Sequence, residues 1–347
     1  MKIFYRILIS SLLLIFFIII YLSFFGFETK RFNNQISEKI KDIDPSLNLK
    51  LKKIKIILNP LELMFDVKTI GPKLMIQNKV LGLENVKTQI QFSSLFNKNV
   101  KVKNLNISTK SVKLDDLISF VRILDQKPQL YILEKIIKNG FLVADIKINF
   151  DEKGKVKKDY IINGFVKDLD LSILKKNQLK KINFEFNYQE NHLSFNDINF
   201  KFDNLNFSSK NLVINRQKKE YEIKGEFQNQ TLSLNKKNID LFIQPYVSFL
   251  DIEDIKFTSQ NKFFFKINKK FKLKDFELKS DIKIESAKFN NKFNLKDFFP
   301  QIKKNINITN HNLQINYKNN SFDIIGEGNI LFQNNLDKLI YSINKKD

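Results

Sequence analysis

The sequence predicts a mainly β fold: an N-terminal transmembrane helix, then an elongated, twisted, mostly antiparallel β-sheet curled into a groove, with a few short helices. Three observations predict it. A run without charge, "ILISSLLLIFFIIIYLSFFGF" at 7–27, stands near the start. Apolar and polar residues then alternate with period two through most of the chain after residue 47. The breaks between alternating runs are short and polar, as hairpins between sequential strands require.

The apolar run comes first. A helix of about 21 residues at 1.5 Å rise covers the roughly 30 Å hydrocarbon core of a bilayer. A secretory signal core is shorter, about 7–15 residues, and ends at a small-x-small cleavage site. Here the exit reads Phe24-Phe25-Gly26-Phe27-Glu28, with rings where small residues are needed. The run therefore reads as a retained anchor, with Ile7, Leu13, Phe17, Ile20, Phe24 and Phe27 among its lipid-facing residues. Lys2 and Arg6 precede it and Lys30, Arg31, Lys39 and Lys41 follow it, so flanking charge alone sets no orientation. A very short N-terminal tail and a long body favour the N-terminus inside and the body exported. The expected organisation is an anchor at 1–29, a short helical collar or linker at 30–46, and an elongated β-groove domain at 47–347 with a helical insertion near 115–139.

The strands are read from their alternation. In "KINFEFNYQ", Ile182, Phe184, Phe186 and Tyr188 share one face and Asn183, Glu185 and Asn187 the other. Leu193 and Phe195 continue the pattern, then Ile198, Phe200 and Phe202, then Leu205 and Phe207. Each change of phase falls at an Asn/Asp turn or a bulge. The same alternation appears at Val86-Thr88-Ile90-Phe92, Leu142-Ala144-Ile146-Ile148-Phe150, Tyr221-Ile223-Gly225-Phe227, Phe263-Phe265-Ile267, Ile282-Ile284, Leu313-Ile315-Tyr317 and Phe322-Ile324-Gly326. About sixteen to eighteen strands result. With only 9 glycines, Asn and Asp are expected to take the left-handed turn positions. Helices are expected in "NNQISEKIKDID", in "DDLISFVRILDQ" capped near Asp115 and stopped before Pro128, and in "QLYILEKIIKNG" with Gly140 as its stop. Weaker helical candidates lie at 239–250 and 295–304.

Composition excludes several chemistries. The net charge of +22 invites a nucleic-acid reading, but Lys is scattered along polar faces, and neither zinc-finger spacing nor a glycine-aromatic RNA-binding motif is present. Lys, Asn, Ile and Phe are the residues that AT-rich codons favour. There are no cysteines, so neither disulfides nor thiolate chemistry arise. His192 and His311 each sit in an Asn-rich turn without metal-ligand spacing and read as surface residues. Asp115-Asp116 reads as a helix cap, and Asp251, Glu253 and Asp254 as a solvated loop. No Gly-x-Ser-x-Gly, phosphate loop or Rossmann fingerprint occurs. Catalytic, cofactor-binding and metal residues are therefore expected to be absent, and the chain is not expected to be an enzyme.

What remains is the apolar stripe. Thirty-five Phe and no Trp suit either a sealed sandwich core or an open gutter whose apolar face is too wide to fill itself. Periodicity leaves the two geometries open. On the gutter reading, acyl chains of membrane phospholipids would lie along Ile146, Ile148, Ile182, Phe184, Phe186, Phe195, Phe200, Phe202, Phe207, Phe263, Phe265, Ile267, Ile284 and Ile315.

A resemblance bears on the choice. The stretch "NPLELMFDVKTIGPKLMIQNKVLGLENVKTQIQFSSLFNKNVKVKNLNISTKSVKL", 59–114, resembles the N-terminal region of the AsmA/TamB-like family. Its successive features are Val86 to Phe92, the Ser94-Leu95-Phe96 step, Val100-Val102, Leu105-Asn106-Ile107 and Val112-Lys113-Leu114. "KNGFLVADIKINFDEKGKVKKDYIINGFVKDLDLSIL", 138–174, looks like the family's middle strands. The resemblance covers about a third of the chain and departs from the family at Ser108-Thr109-Lys110, where Pro or Gly is common. It implies a single-pass protein of the bacterial inner membrane with its body in the periplasm. It further implies a bridge-like lipid-transfer groove linked to outer-membrane lipid homeostasis, with other envelope proteins as candidate partners at the far end. The alternative is a non-enzymatic envelope assembly factor that docks partner proteins by its sheet edges.

Overall fold

The computed structural model describes residues 2–41, 44–91, 102–151, 155–172, 178–203, 205–218, 220–242, 251–268, 270, 272–290 and 300–345. Phe92, the Ser94-Leu95-Phe96 step, Val100 and most of the helical candidates at 239–250 and 295–304 lie outside the described residues. The fold is mainly β: nineteen strands and five helices are described, and the strands pair antiparallel in both units. The chain divides into two compact units, Met1–Lys176 with Glu185–Glu190, and Asn177–Phe184 with Asn191–Asp347.

The first unit begins with α1 (Lys2–Phe24), β1 (Phe27–Thr29), α2 (Asn33–Lys41), β2 (Leu47–Lys50), β3 (Lys53–Asn59), β4 (Met64–Ile70), β5 (Lys73–Ile76) and β6 (Lys79–Gln91). It continues through β7 (Val102–Thr109), β8 (Val112–Lys113), α3 (Leu114–Leu124), α4 (Pro128–Ile136), β9 (Ile137–Asn149) and β10 (Ile161–Ser172). The main sheet runs β1-β3-β4-β6-β7-β9-β10, with β8 on β9 as well. The long strand β6 serves two layers. Lys79 to Gly82 form a hairpin with β5, which pairs with β2, while the rest of β6 pairs with β4 and β7.

That second layer, with α2 and α3, seals the apolar face. Leu49 of β2, Ile76 of β5, Ile40 of α2 and Phe120 of α3 meet Leu83, Val86 and Leu105 of the main sheet in one buried cluster. A second cluster holds Ile54, Ile56, Phe65 and Val67. Where strands part, buried threonines take over the ladder: the Val86 N–H donates to Thr69 Oγ1 (2.7 Å) and the Ala144 N–H to Thr109 Oγ1 (2.8 Å), so neither N–H is buried unpaired.

Helix α1 has no buried residue and is long and apolar enough to cross a membrane. It passes into the sheet with almost no slack. Gly26, at φ +65°, lies so close to β3 that a Cβ there would stand 2.3 Å from the Ile56 carbonyl oxygen. The next residue, Phe27, already pairs with Ile56. Helix α2 is likewise built in: Ile36 and Ile40 enter the cores, and Ser37 Oγ donates to the Leu49 carbonyl (2.9 Å).

Two helix-end expectations are corrected. Helix α3 starts two residues earlier than a cap at Asp115 requires; Lys113 is its N-cap and has no side-chain capping bond. Asp115 and Asp116 sit in the first turn, where their charge favours the positive end of the helix dipole. Gly140 does not stop α4, which gives way directly to β9. It lies within β9 at φ +137°, with Leu114 and Leu169 packed where a Cβ would point.

Gly26→Val should detach β1 from β3, combining a left-handed φ with a backbone clash at a cost of about 1–3 kcal/mol. Hydrogen exchange of Phe27 to Thr29 and of β3 measures it; unchanged protection would show the junction to be slack.

An uncovered apolar sheet face

The second unit contains β12 (His192–Phe202), β13 (Leu205–Arg216), β14 (Glu220–Asn235), α5 (Lys236–Phe242), β15 (Asp251–Asn268) and β16 (Leu273–Asn290). It ends with β17 (Asn305–Lys318), β18 (Ser321–Leu331) and β19 (Leu336–Lys345), while β11 (Gln178–Gln189) is divided between the two units. From β12 to β19 each strand pairs with its neighbour in sequence, the meander that short polar breaks predict. Left-handed Asn319 and Asn320 make the β17–β18 turn, as the scarcity of glycine predicts.

Paired residues share a face, so the register shows what that face is made of. One row reads Phe195, Leu212, Gly225, Phe263, Leu278, Tyr317, Phe322 across seven strands. At about 4.8 Å per strand it is roughly 29 Å wide. A phase change within β12 keeps the stripe on one side: Asp197, at φ +51°, separates Phe195 from Ile198, and both then pair onto apolar or small partners, Leu212 and Ser209.

Among the described residues, little covers this face. At one end α5 does: Ile239 packs with Leu234 and Ile252, and against them Leu205, Ile255, Phe257 and Phe289. Elsewhere Phe195, Phe200, Phe202, Phe207, Phe263, Phe265, Ile267, Ile284 and Ile315, all predicted groove residues, are only half-buried. Ile182 is buried, and Phe184 meets Phe195 edge-on at 5.3 Å. The other three predicted residues belong to the first unit. Ile148 packs against the sealed core there, Ile146 pairs with Ile107 beside it, and Phe186 lies over Gly164.

The open face is kept apolar and smooth. Its rings stack along and across strands, as in Phe200–Phe207 (5.5 Å) and Phe263–Phe265 (5.9 Å). Phe263 lies over Gly225 and Tyr341 over Gly326, where any Cβ would strike the ring, the cross-strand covering of glycine by an aromatic. Three polar residues in the face, Asn229, Ser259 and Asn261, bond to one another and to the backbone. Ser259 Oγ donates to Asn229 Oδ1, and Asn261 Nδ2 donates to Ser259 Oγ (2.9 Å) and the Phe227 carbonyl (3.2 Å). Charge is on the opposite face, in the cross-strand pairs Lys256–Glu285, Lys318–Glu277 and Lys338–Glu327. The expected acidic loop is corrected too: Asp251, Glu253 and Asp254 begin β15, with Asp251 paired to Lys236 and Glu253 to Lys288.

His192 is exposed and meets Asn215 Oδ1 (2.7 Å). His311 is not the surface residue its Asn-rich setting predicts. Only 2% exposed, it stacks on Tyr341, with Nε2 3.1 Å from the phenol oxygen, and packs against Gly328. Burial lowers the pKa of its imidazole and raises that of the Tyr341 phenol, so both are neutral near pH 7. The signal was the phase: His311 lies two and four residues before Leu313 and Ile315 and so on their face, with the left-handed Asn310 (φ +49°) beside it where β17 shifts register against β18. Among the described residues no three His, Asp or Glu side chains gather as a metal site would need.

This geometry carries two predictions. Phe207→Ser or Phe263→Ser should cost less than the roughly 3–5 kcal/mol of emptying a sealed aromatic site, read by hydrogen exchange on β13–β15; a full-sized loss would mean the face is packed. His311 binds its proton more readily unfolded than folded, so the second unit should lose stability as pH falls below about 6.5. His311→Asn should flatten that slope between pH 7 and 5 in denaturant titrations. No family model, curated protein or solved structure matches the chain, so its function is argued from this face.

Proposed function

We propose that the chain is an inner-membrane-anchored, periplasmic, AsmA-like protein of a bacterial envelope. Helix α1 is retained as a single span, and the body shelters phospholipid acyl chains on its apolar sheet face. It passes them on without covalent chemistry, contributing to phospholipid transport or outer-membrane homeostasis. The observation that carries this reading is the uncovered row of half-buried Phe, Leu, Tyr and Ile side chains in the second unit. An acyl chain laid on such a surface gains about 0.8 kcal/mol for each CH₂ removed from water, while its headgroup stays wet at the rim. Large exposed apolar patches of this kind are sites of binding. The self-satisfied Asn229–Ser259–Asn261 network suits a hydrocarbon ligand, which offers no hydrogen bonds.

A second reading has its own support. Strand β19 pairs with β18 and has no strand on its other side among the described residues, and Leu336, Ile340 and Ile343 on it are exposed. Such an edge can dock a partner protein by strand addition.

A photoreactive benzoyl-phenylalanine in the full chain, expressed in cells, separates the two. Placed at Phe263 it should yield phospholipid adducts by mass spectrometry, and placed at outward-facing Lys262 it should not. Absence of lipid at Phe263, with protein adducts from Ser342 on β19, would replace transfer by assembly. Phe184→Asp, Phe200→Asp and Phe265→Asp should abolish the adducts yet leave the sheet folded.

A further inference from the structure

We infer that the turn between β3 and β4 dips into the surface of the same membrane that α1 crosses, Leu61 and Leu63 making a second, shallow lipid contact beside the anchor. This rests on the reading of α1 as a membrane span. Three observations carry it.

The first is placement. Because β1 runs antiparallel to β3 with Phe27 opposite Ile56, the chain leading back to α1 lies alongside the last residues of β3. The Gly26 position is pressed against Ile56 and Ile57, and α1 itself contacts β3. Strand β3 ends at Asn59, about 10 Å beyond Ile56 at 3.3 Å per residue, and the turn at 60–63 continues past it. The tip is thus carried to the body-side end of α1, where Tyr21 stacks on Phe25 (5.4 Å) and Phe24 and Phe25 are exposed. Aromatic residues at that position mark the interfacial zone of a bilayer.

The second is exposure. Leu61 is 96% exposed and Leu63 69%, two large aliphatic side chains with no packing role in the first unit. The third is backbone cost. Leu63 sits at φ +50°, a left-handed conformation that elsewhere in this chain falls mostly to Asn and Asp and that penalises a leucine. A polar turn residue would be better on both counts in water, so the leucines suit an apolar surrounding. Glu62 between them, its N–H donating to Asn59 Oδ1 (3.3 Å), limits the depth to the headgroup level.

The chain has no cysteine, so single labels test this directly. The full chain is reconstituted into phosphatidylethanolamine–phosphatidylglycerol vesicles with an environment-sensitive NBD label at Leu61→Cys or at Phe16→Cys within α1. The Leu61 label should show blue-shifted emission quenched by lipids spin-labelled near the headgroup, and the Phe16 label should be quenched by lipids spin-labelled deep in the chain. A quenched Phe16 label with a water-like Leu61 label overturns the second contact and leaves the anchor standing; a water-like Phe16 label overturns both. A blue shift at Leu61 without lipid quenching assigns the tip to a protein partner or a second copy and also overturns the inference.

Discussion

An antiparallel strand can satisfy its backbone on both sides and still present every apolar side chain to one face. What covers that face is the constraint on which the rest of this molecule depends. In the first unit a small second layer and two helices cover it, so Val86 is almost completely buried and the sheet behaves as half of an ordinary core. In the second unit, among the described residues, α5 covers one end only. The same alternation of residues therefore makes a core in one place and a surface in another.

An uncovered apolar face is a hazard, since exposed patches and unpaired edges invite aggregation. Several features of the second unit lower that hazard without filling the face. Rings lie over Gly225 and Gly326 instead of standing free, which gives each ring a partner of its own. Buried polar atoms are spent on neighbours within the face. The reverse face carries paired charges that keep it in water. None of these requires a second sheet.

The strands were legible because alternation is a local property. Residues 193–207 show both the strands and the phase change at Asp197, since a left-handed residue within a strand leaves its mark in the spacing itself. Whether a face is covered is not local. Val86 and Phe263 lie in similar alternating runs, and the difference between them comes from β2, β5, α2 and α3, which lie outside the run of β6 itself. Gly140 misled because a glycine after a helical stretch reads as a stop, whereas here it makes room for Leu114 and Leu169. His311 misled because its Asn neighbours suggest a turn. Its partners Gly328 and Tyr341 lie one and two strands away, where no short window can see them.

The junction at Gly26 has a mechanical meaning. With no linker between α1 and β1, the first unit cannot swing on α1 as a tethered domain would. If α1 spans a bilayer as proposed, it would tilt until its apolar length matches the hydrocarbon thickness, and that tilt would pass directly to the sheet edge. Bilayer thickness would then be a setting for the posture of the first unit: a thinner membrane would lean it over, and a thicker one would stand it up.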